Sequence, residues 1–328
     1  MRQFDSTPNR PYGGQPPAVR ARRRRRIGRA ALMASVGVLL AAGAARVFGP
    51  GSGETAAAPA QSGPHRARAT GDPVLADGIT GLAQGAERAG VARRVGVSVV
   101  AAGRADAPLG GYRAGDNFPA ASVIKVPVML ALEARWQEGS LPRTAAHRRL
   151  LERMIQVSDN AATNALIDVV GLPRVNQEIR QVLGVERLIT VLGRKLSPTA
   201  SGPPRNRGCA REIARLLAWI ATEEKAGDAR AVDMLRIMRG TSPDHRTRIP
   251  AAIPLRYRRK VANKTGTLAR VVNDAAIVET PSGERYVLCI LMDGVGAGRR
   301  GEAERFCREV SALCWRRLSG KGLTPGRG

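Results

Sequence analysis

A serine and a lysine three positions apart are the first residues of this 328-residue chain whose spacing could support catalysis. Ser122 and Lys125 lie in the run "PAASVIKVPVMLAL", where the lysine is surrounded by apolar residues. A bare ammonium is costly in such surroundings, and desolvation lowers the pKa of a lysine. The helical period that starts at Ser122 predicts a helix over residues 122–136, in which Lys125 would lie one turn from Ser122 and reach its hydroxyl. The pair therefore predicts a nucleophilic serine with a lysine as general base or proton relay.

Two tripeptides follow this pair in the sequence. The first is "SDN" at residues 158–160, and the second is "KTG" at residues 264–266. On its own, "SDN" predicts a helix cap, because Ser and Asp favour that position. A lone lysine such as Lys264 on an edge strand is usually a device for solubility. The ordered set of all three motifs is much less common by chance than any one of them.

This ordered set resembles the S-x-x-K, S-D-N, K-T-G signature of the penicillin-recognising serine acyltransferases, which include the class A β-lactamases and the penicillin-binding proteins. Residues 95–132, 154–168 and 264–278 also resemble the corresponding stretches of class A β-lactamases, and the resemblance covers residues 75–318. It implies the fold of that class. It also implies acylation of Ser122 by a β-lactam or by an acyl-D-Ala-D-Ala-like peptide.

The resemblance implies a role for each motif residue. Ser158 would carry a proton to the leaving nitrogen, and Asn160 would bind a substrate amide carbonyl. Lys264 would present a cation to a substrate carboxylate. Because Gly266 has no side chain, the backbone N–H of the next residue could join that of the nucleophile in an oxyanion hole. The candidate catalytic residues are Ser122, Lys125 and Ser158, and the candidate substrate-binding residues are Asn160, Lys264, Thr265, Gly266 and Thr267.

The sequence departs from the class A pattern in two places. Ser158 follows Ser122 by only 36 positions, so much of a loop that usually lies beside the cleft is missing. Class A enzymes also carry an E-x-x-L-N motif whose glutamate activates the deacylating water, whereas residues 191–208 contain no acidic residue. Glu178, Glu186 and Glu212 lie nearby in sequence, and a position on a solvated helix face is expected for each. We therefore expect an acylating serine and leave the rate of deacylation open.

The hydrophobic periodicity predicts the elements that must position these residues. A helix at residues 75–89 and a strand at 95–101 precede a block of helices, and three strands starting at 259, 273 and 285 precede a final helix at 302–318. Tyr112 and Phe118 are expected to flank the turn of a hairpin. This order predicts an α+β fold, in which a five-stranded antiparallel sheet carries the N- and C-terminal helices on one face beside an all-helical subdomain. The active site is expected in the cleft between them.

The N-terminal region differs in composition from the rest. Arg22 to Arg26 precede an apolar run that starts at Ala30, which is typical of a signal peptide or a membrane anchor. The positive-inside rule then predicts an extracytoplasmic protein, either secreted or anchored. The predicted segments are a basic cytoplasmic N-terminus (1–29), a signal peptide or transmembrane anchor (30–48), a flexible linker (49–72), a serine hydrolase domain (73–318) and a disordered tail (319–328).

The charge of the chain limits the classes of partner that are expected, and its cysteines and histidines limit the kinds of disulfide and metal site. The formal net charge is +26 at pH 7 but aromatic residues make up only 3%, which argues against a nucleic-acid platform. Contact with an anionic cell-wall or membrane surface fits the charge. The four cysteines are predicted to be core thiols, and the spacing of the histidines suggests neither a metal site nor a cofactor. The expected ligand is a β-lactam or a peptidoglycan stem peptide, and a monomer is expected.

Three functions stay open at this level. The first is an exported class A β-lactamase-like serine hydrolase that acts on cyclic amides. The second keeps the nucleophile but is a D-Ala-D-Ala peptidase or a penicillin-binding protein with slow deacylation. The third is a non-catalytic wall-binding or penicillin-sensing module. A Ser-His-Asp triad is discounted, because no G-x-S-x-G motif accompanies His147 or His245.

Overall fold

A twisted antiparallel sheet forms the central layer of the fold. The computed structural model describes residues 71–197, 202, 205–320 and 323. Five strands lie in the order β2-β1-β7-β6-β5, and β3 and β4 form a separate short ribbon. The strands of the described residues are β1 (Arg94–Ala101), β2 (Pro108–Tyr112), β3 (Phe118–Pro119), β4 (Arg207–Gly208), β5 (Ala262–Leu268), β6 (Val271–Glu279) and β7 (Arg285–Asp293).

Helices cover both faces of the sheet. Helices α1 and α9 pack together on one face. On the other face, α6 packs against β1 and β7 and connects the sheet with the helical block that α2 to α7 form. The helices are α1 (Pro73–Arg88), α2 (Lys125–Gln137), α3 (Ala145–Gln156), α4 (Asn160–Val170), α5 (Leu172–Leu183), α6 (Ala210–Lys225), α7 (Ala229–Arg239), α8 (Leu255–Arg258) and α9 (Arg300–Leu318). This arrangement confirms the predicted α+β fold with its two terminal helices on one face.

Two hydrophobic cores follow from this layering. One lies between the sheet and the α1–α9 pair, and includes Leu75, Ile79 and Phe306. The other lies between the sheet and the helical block, and includes Met129, Leu166 and Leu217. Because both faces are covered, β6 and β7 are buried along nearly their whole length instead of alternating between buried and exposed residues. All four cysteines are buried free thiols, as predicted for core residues.

Three local predictions are wrong. Phe118 does not pair with β2 across a hairpin turn: it lies in β3 and pairs with Gly208 of β4, with its ring packed against Gly96, where a Cβ would lie 2.5 Å away. The strand predicted from residue 259 begins at Ala262, because the short helix α8 ends at Arg258 and a turn follows it. Ser122 does not begin α2 but lies in a 3₁₀ turn, Ala121–Ile124, just before it.

The predicted N-terminal segments before residue 71 lie outside the described residues, and so does most of the predicted C-terminal tail. Those predictions therefore stay predictions. Within the described part of the chain, none of the helices combines the length and the apolar character that crossing a bilayer requires.

Candidate active site

The candidate nucleophile lies on a sharp turn that is pinned to the sheet. Ser122 is half-buried in the 3₁₀ turn before α2, and Ala121 beside it has a φ of 46°, which is rare for a residue with a side chain. Asn273 of β6 donates from Nδ2 to the carbonyl oxygens of Pro119 (2.9 Å) and Ala120 (3.1 Å). These two bonds fix the chain that leads into the nucleophile.

Lys125 is fully buried and is held by neutral oxygen atoms. Its Nζ donates to the carbonyl oxygen of Ser158 (2.6 Å), to Ser158 Oγ (3.1 Å) and to Asn160 Oδ1 (2.8 Å). Sequence spacing predicted a contact with the Ser122 hydroxyl, but the bonds found among the described residues go to the S-D-N segment instead. The structure thus brings the first two motifs together through the lysine.

Burial shapes the protonation of Lys125. Desolvation lowers its pKa to about 8, and the nearby charge of Asp159 only partly opposes this effect. At pH 7 about one tenth of Lys125 is therefore an uncharged amine, which can accept a proton, and this fraction rises steeply towards pH 8.

Lys264 brings the third motif to the same serine. It is also fully buried, and its Nζ donates to Ser158 Oγ (3.0 Å) and to the carbonyl oxygen of Thr265 (2.8 Å). Burial holds the pKa of Lys264 well below its ordinary value, and the charge of Lys125 lowers it further. The hydroxyl of Ser158 therefore lies between two buried lysines.

The S-D-N segment also caps a helix, as its composition predicted. Asp159 is the N-cap of α4 and accepts a hydrogen bond from the backbone N–H of Ala162 (3.0 Å), which is the main reason that its pKa lies below the ordinary value. Ser158 has a φ of 58°, so its backbone is in the left-handed region. The cap fixes the start of α4 and thereby positions Ser158 and Asn160 against Lys125.

Gly266 allows β5 to approach the nucleophile closely. A Cβ at this position would lie 3.1 Å from the backbone nitrogen of Ser122, 3.0 Å from Ala121 Cβ and 3.1 Å from the carbonyl oxygen of Ala120. Only glycine fits here without displacing the turn. The strand residue that follows, Thr267, is half-buried, whereas Thr265 is buried.

A buried arginine lies behind this strand. Arg248 donates to Thr267 Oγ1 (2.7 Å) and to the carbonyl oxygens of Gly266 (3.2 Å) and Asn273 (2.6 Å), and it also pairs with Glu304 (3.2 Å). It thus ties β5 to β6 just beside the nucleophile. Sequence reasoning missed Arg248, because nothing distinguishes it from the other arginines of a strongly basic chain.

Sequence reasoning also missed the polar pair in β6. Asp274 is fully buried, and its carboxylate accepts hydrogen bonds from the backbone N–H of Ile249 (3.0 Å) and from Asn263 Nδ2 (3.0 Å). Burial raises the pKa of Asp274 to about 6. A signal was present, since Asn273 and Asp274 interrupt an otherwise apolar strand, "VVNDAAIV".

Comparisons with known proteins agree with this geometry. The sequence profile of the β-lactamase enzyme family matches residues 133–318, which is more than half of the chain. The chain belongs to this β-lactamase family. The match includes the S-D-N and K-T-G motifs, whereas Ser122 and Lys125 precede it. No curated protein sequence matches the chain significantly.

Solved structures share the whole fold. A β-lactamase from Sphaerobacter thermophilus DSM 20745 is 25% identical with a TM-score of 0.63, over 76% of this chain and 98% of that one. PBP-A is 25% identical with a TM-score of 0.59, over 74% and 97%. A variant of PBP-A, described as an acyl-enzyme complex with penicillin G, is 24% identical with a TM-score of 0.61, over 75% and 97%, and supports the fold alone.

In this β-lactamase-family chain, the acidic residues near the loop 191–208 serve other contacts. Glu212 is buried and accepts hydrogen bonds from the backbone N–H groups of Ile189 (3.1 Å) and Thr190 (2.5 Å). Glu178 is buried beside Arg174 (3.4 Å), and burial raises its pKa. The expectation of a solvated helix face is wrong for these two. Glu186 is exposed as expected, but it lies after the end of α5 and not on a helix.

The described part of this loop is fastened to the helical block by amide side chains. Asn164 of α4 donates to the carbonyl oxygen of Leu196 (2.7 Å) and accepts from its N–H (2.8 Å). Asn176 of α5 makes the same pair of bonds with Leu192 (3.0 and 2.9 Å). The side chain of Leu196 packs against the core of the helical block. The loop is therefore held close to α4, the helix that begins with Asn160.

Proposed function

We propose that this member of the β-lactamase family is an exported serine hydrolase. Its Ser122 is acylated by β-lactams or by acyl-D-Ala-D-Ala-like amides, and the acyl-enzyme is then hydrolysed. The observation that carries the proposal is the position of Ser158 Oγ, within 3.1 Å of Lys125 Nζ and 3.0 Å of Lys264 Nζ. A hydroxyl between two amines of lowered pKa is suited to proton transfer.

In the proposed acylation, Ser122 Oγ forms a bond to the carbonyl carbon of the amide, and Lys125 Nζ takes the hydroxyl proton. The C–N bond then breaks. Ser158 Oγ donates a proton to the leaving nitrogen and is reprotonated from Lys125, so that the lysine ends the step as it began. The backbone N–H groups of Ser122 and Thr267 stabilise the oxyanion, in keeping with the close approach at Gly266.

The two buried lysines of the site favour binding of an anionic substrate. Within the described residues, the hydrogen bonds of Lys125 and Lys264 all go to neutral oxygen atoms. A substrate carboxylate near Lys264 would supply the missing negative charge in a poorly solvated place, where the attraction is strong. Penicillins and peptides ending in D-Ala-D-Ala both carry such a carboxylate. Asn160 and the strand residues Thr265 and Thr267 are the proposed contacts for the rest of the substrate.

One observation favours a second function, a D-Ala-D-Ala peptidase or penicillin-binding protein with slow deacylation. Residues 191–208 contain no acidic side chain, and the carboxylate of Glu212 is already occupied by two backbone N–H groups. A water molecule at the acyl-enzyme would therefore need another base.

Intact mass spectrometry with benzylpenicillin tests the proposal. We expect a covalent adduct on the wild-type chain and none on Ser122→Ala. If the adduct disappears as penicilloate accumulates, the protein is a β-lactamase. If the adduct persists, the second function is correct. If no adduct forms, the proposal is wrong, and a non-catalytic wall-binding or penicillin-sensing module becomes the better explanation.

The proposed site of action is outside the cytoplasm. This part rests on the arginine-rich stretch and the apolar run at residues 30–48, which are typical of export or anchoring. Fractionation of cells that express the full chain tests it, and recovery of the protein with the cytosol would contradict it.

A further inference from the structure

A basic and partly apolar surface lies on the side of the sheet that carries α1 and α9. It is formed by the short helix α8 and the C-terminal half of α9. We call it the α8–α9 patch, and it consists of Leu255, Arg256, Tyr257, Arg259, Trp315 and Arg316.

The aromatic residues form the centre of the patch. The rings of Tyr257 and Trp315 lie 5.2 Å apart at an interplanar angle of 43°, and the guanidinium of Arg256 lies over the Tyr257 ring at 4.9 Å. Both rings are half-buried and pack against the core under α9. The core therefore supports both rings, and part of each stays exposed to the solvent.

An exposed leucine begins the short helix that carries Tyr257. The side chain of Leu255 is 76% exposed, more than the other large apolar residues exposed in the described part of the chain. It begins α8 directly after Pro254, so it is held on a fixed turn and not on a long loop. Leu255 adds to the apolar area that the two partly exposed rings contribute, and an exposed apolar area rimmed by charged residues is typical of an interaction surface.

The charged residues around the centre are mostly basic. Arg256, Arg259 and Arg316 are exposed. Among the acidic residues of α9, Glu302 lies at its far end beside Arg299 (3.4 Å), and Glu304 is paired with Arg248 (3.2 Å) and Arg300 (3.5 Å). Glu309 is exposed one to two turns away from Trp315. Three exposed arginines against one exposed glutamate leave the patch positive.

We propose that the α8–α9 patch binds the surface of an anionic lipid bilayer. Arginines attract anionic headgroups, Trp and Tyr rings favour the interfacial zone, and an exposed leucine inserts among the acyl chains. A soluble polyanion would use the arginines but would gain nothing from Leu255. The combination of charge and aliphatic exposure therefore fits a bilayer and not a dissolved polymer.

Binding through this patch leaves the active site open. Tyr257 and Trp315 pack on the core between the sheet and α9, whereas Lys125 and α4 belong to the helical block on the other face. The domain would lie on the membrane with its catalytic cleft accessible. This inference does not depend on the reaction that the site catalyses.

Vesicle co-sedimentation of residues 71–328 tests the proposal without the apolar run at residues 30–48. A domain of this extent folds independently in the related structures, because 97–98% of those chains is covered by 74–76% of this one. We expect binding to vesicles of phosphatidylcholine with 30% phosphatidylglycerol and much weaker binding to phosphatidylcholine alone. Replacement of Arg256 and Arg316 by Gln should lower the partition coefficient roughly 25-fold, about fivefold per residue.

Matched variants on the helical block provide the controls. Arg180 and Arg187 are also exposed, and their double replacement by Gln should leave binding almost unchanged. Leu255→Ser should lower the partition coefficient about tenfold, whereas Val232→Ser on α7 should not. Equal losses in the two arginine pairs would reveal a general effect of net charge and overturn the proposal. Loss with the arginine pair but not with Leu255→Ser would assign the patch to a soluble polyanion and overturn it as well.

Discussion

Helix α2 carries two buried charged residues, and their surroundings differ. Lys125 at its start is hydrogen-bonded to the neutral oxygen atoms of Ser158 and Asn160. Glu133, two turns later, is 1% exposed and lies 3.7 Å from the guanidinium of Arg143. The hydrogen bonds of Lys125 thus all go to neutral atoms, whereas Glu133 lies beside a network of ions.

That network centres on Asp233 of α7. Its carboxylate is paired with Arg143 (2.5 Å), Arg148 (2.9 Å) and Arg236 (2.9 Å). Burial alone would raise the pKa of Asp233, but the hydrogen bond from Arg236 and the charges of the other two arginines hold it below its ordinary value. The network connects α3 and α7 with the loop after α2, so its role is to hold the helical block together.

The difference shows how one helix can serve both stability and chemistry. A carboxylate that is paired on several sides, as Asp233 is, changes its protonation only at a large cost in free energy, so it is inert near neutral pH. A buried amine without a carboxylate partner exists partly in its neutral form and can exchange protons. The following predictions distinguish the reactive surroundings of Lys125 from the stabilising ions around Asp233, in order of decreasing effect on the proposed reaction.

Replacing Lys125 by Met should give the largest effect. We expect the rate of acylation by benzylpenicillin to fall about 10²- to 10⁴-fold, because the proposed proton acceptor is lost. The thermal midpoint should stay the same or rise, since an uncompensated buried charge is removed. Stopped-flow acylation and calorimetry measure the two quantities. A large loss of stability would mean that Lys125 is a structural residue like the ions around Asp233.

The pH profile of the wild-type protein sharpens this test. Only the neutral amine accepts a proton, and the pKa of Lys125 is about 8. The acylation rate should therefore rise with pH and level off above about pH 8. A rate that falls across the same interval would contradict the role of Lys125 as a base.

Replacing Gly266 by Ala should have the next largest effect. The new Cβ would lie 3.0–3.1 Å from Ala121, Ala120 and the backbone nitrogen of Ser122, so the nucleophile or the strand must move. We expect acylation to slow about 10- to 100-fold, because small displacements at a reacting centre are costly. Gly81→Ala on α1 is the matched control, since it meets no atom within 4 Å and should only stabilise the helix.

The sequence predicted the architecture and the three motifs because each has a local signal. Apolar periodicity identified the terminal helices and the sheet, and the short motifs identified Ser122, Ser158 and Lys264. The contacts of Asn273 with the turn at residues 119–120 could not be predicted in the same way. They join residues more than 150 positions apart, and no short-range pattern encodes such a pairing. The role of Lys125 as a partner of the S-D-N segment depends on the same long-range packing.

The next prediction concerns the rate at which the penicilloyl adduct is hydrolysed. Leu196 is held against α4 by its two hydrogen bonds with Asn164, in the loop where the family pattern places a glutamate. Leu196→Glu should accelerate the loss of the penicilloyl adduct about tenfold or more, because a carboxylate can activate water as a general base. Leu196→Gln has nearly the same shape without the base and should not accelerate it. An equal effect of both variants would indicate a change of loop packing instead.

Replacing Glu133 by Gln should leave the acylation rate unchanged and alter only the dependence of stability on pH. Burial raises the pKa of Glu133 to about 7 from its ordinary 4.5, with Arg143 opposing the shift. Between these two values the folded protein keeps a proton that the unfolded chain has released, so stability falls as pH rises through this window. The loss from this group should amount to roughly 3 kcal/mol in the wild type and be absent in the variant. Urea unfolding of both proteins at pH 5 and pH 7.5 measures it. If Glu133→Gln slowed acylation as Lys125→Met does, the two ends of α2 would not be independent, and the division between a reactive and a stabilising region would have to be abandoned.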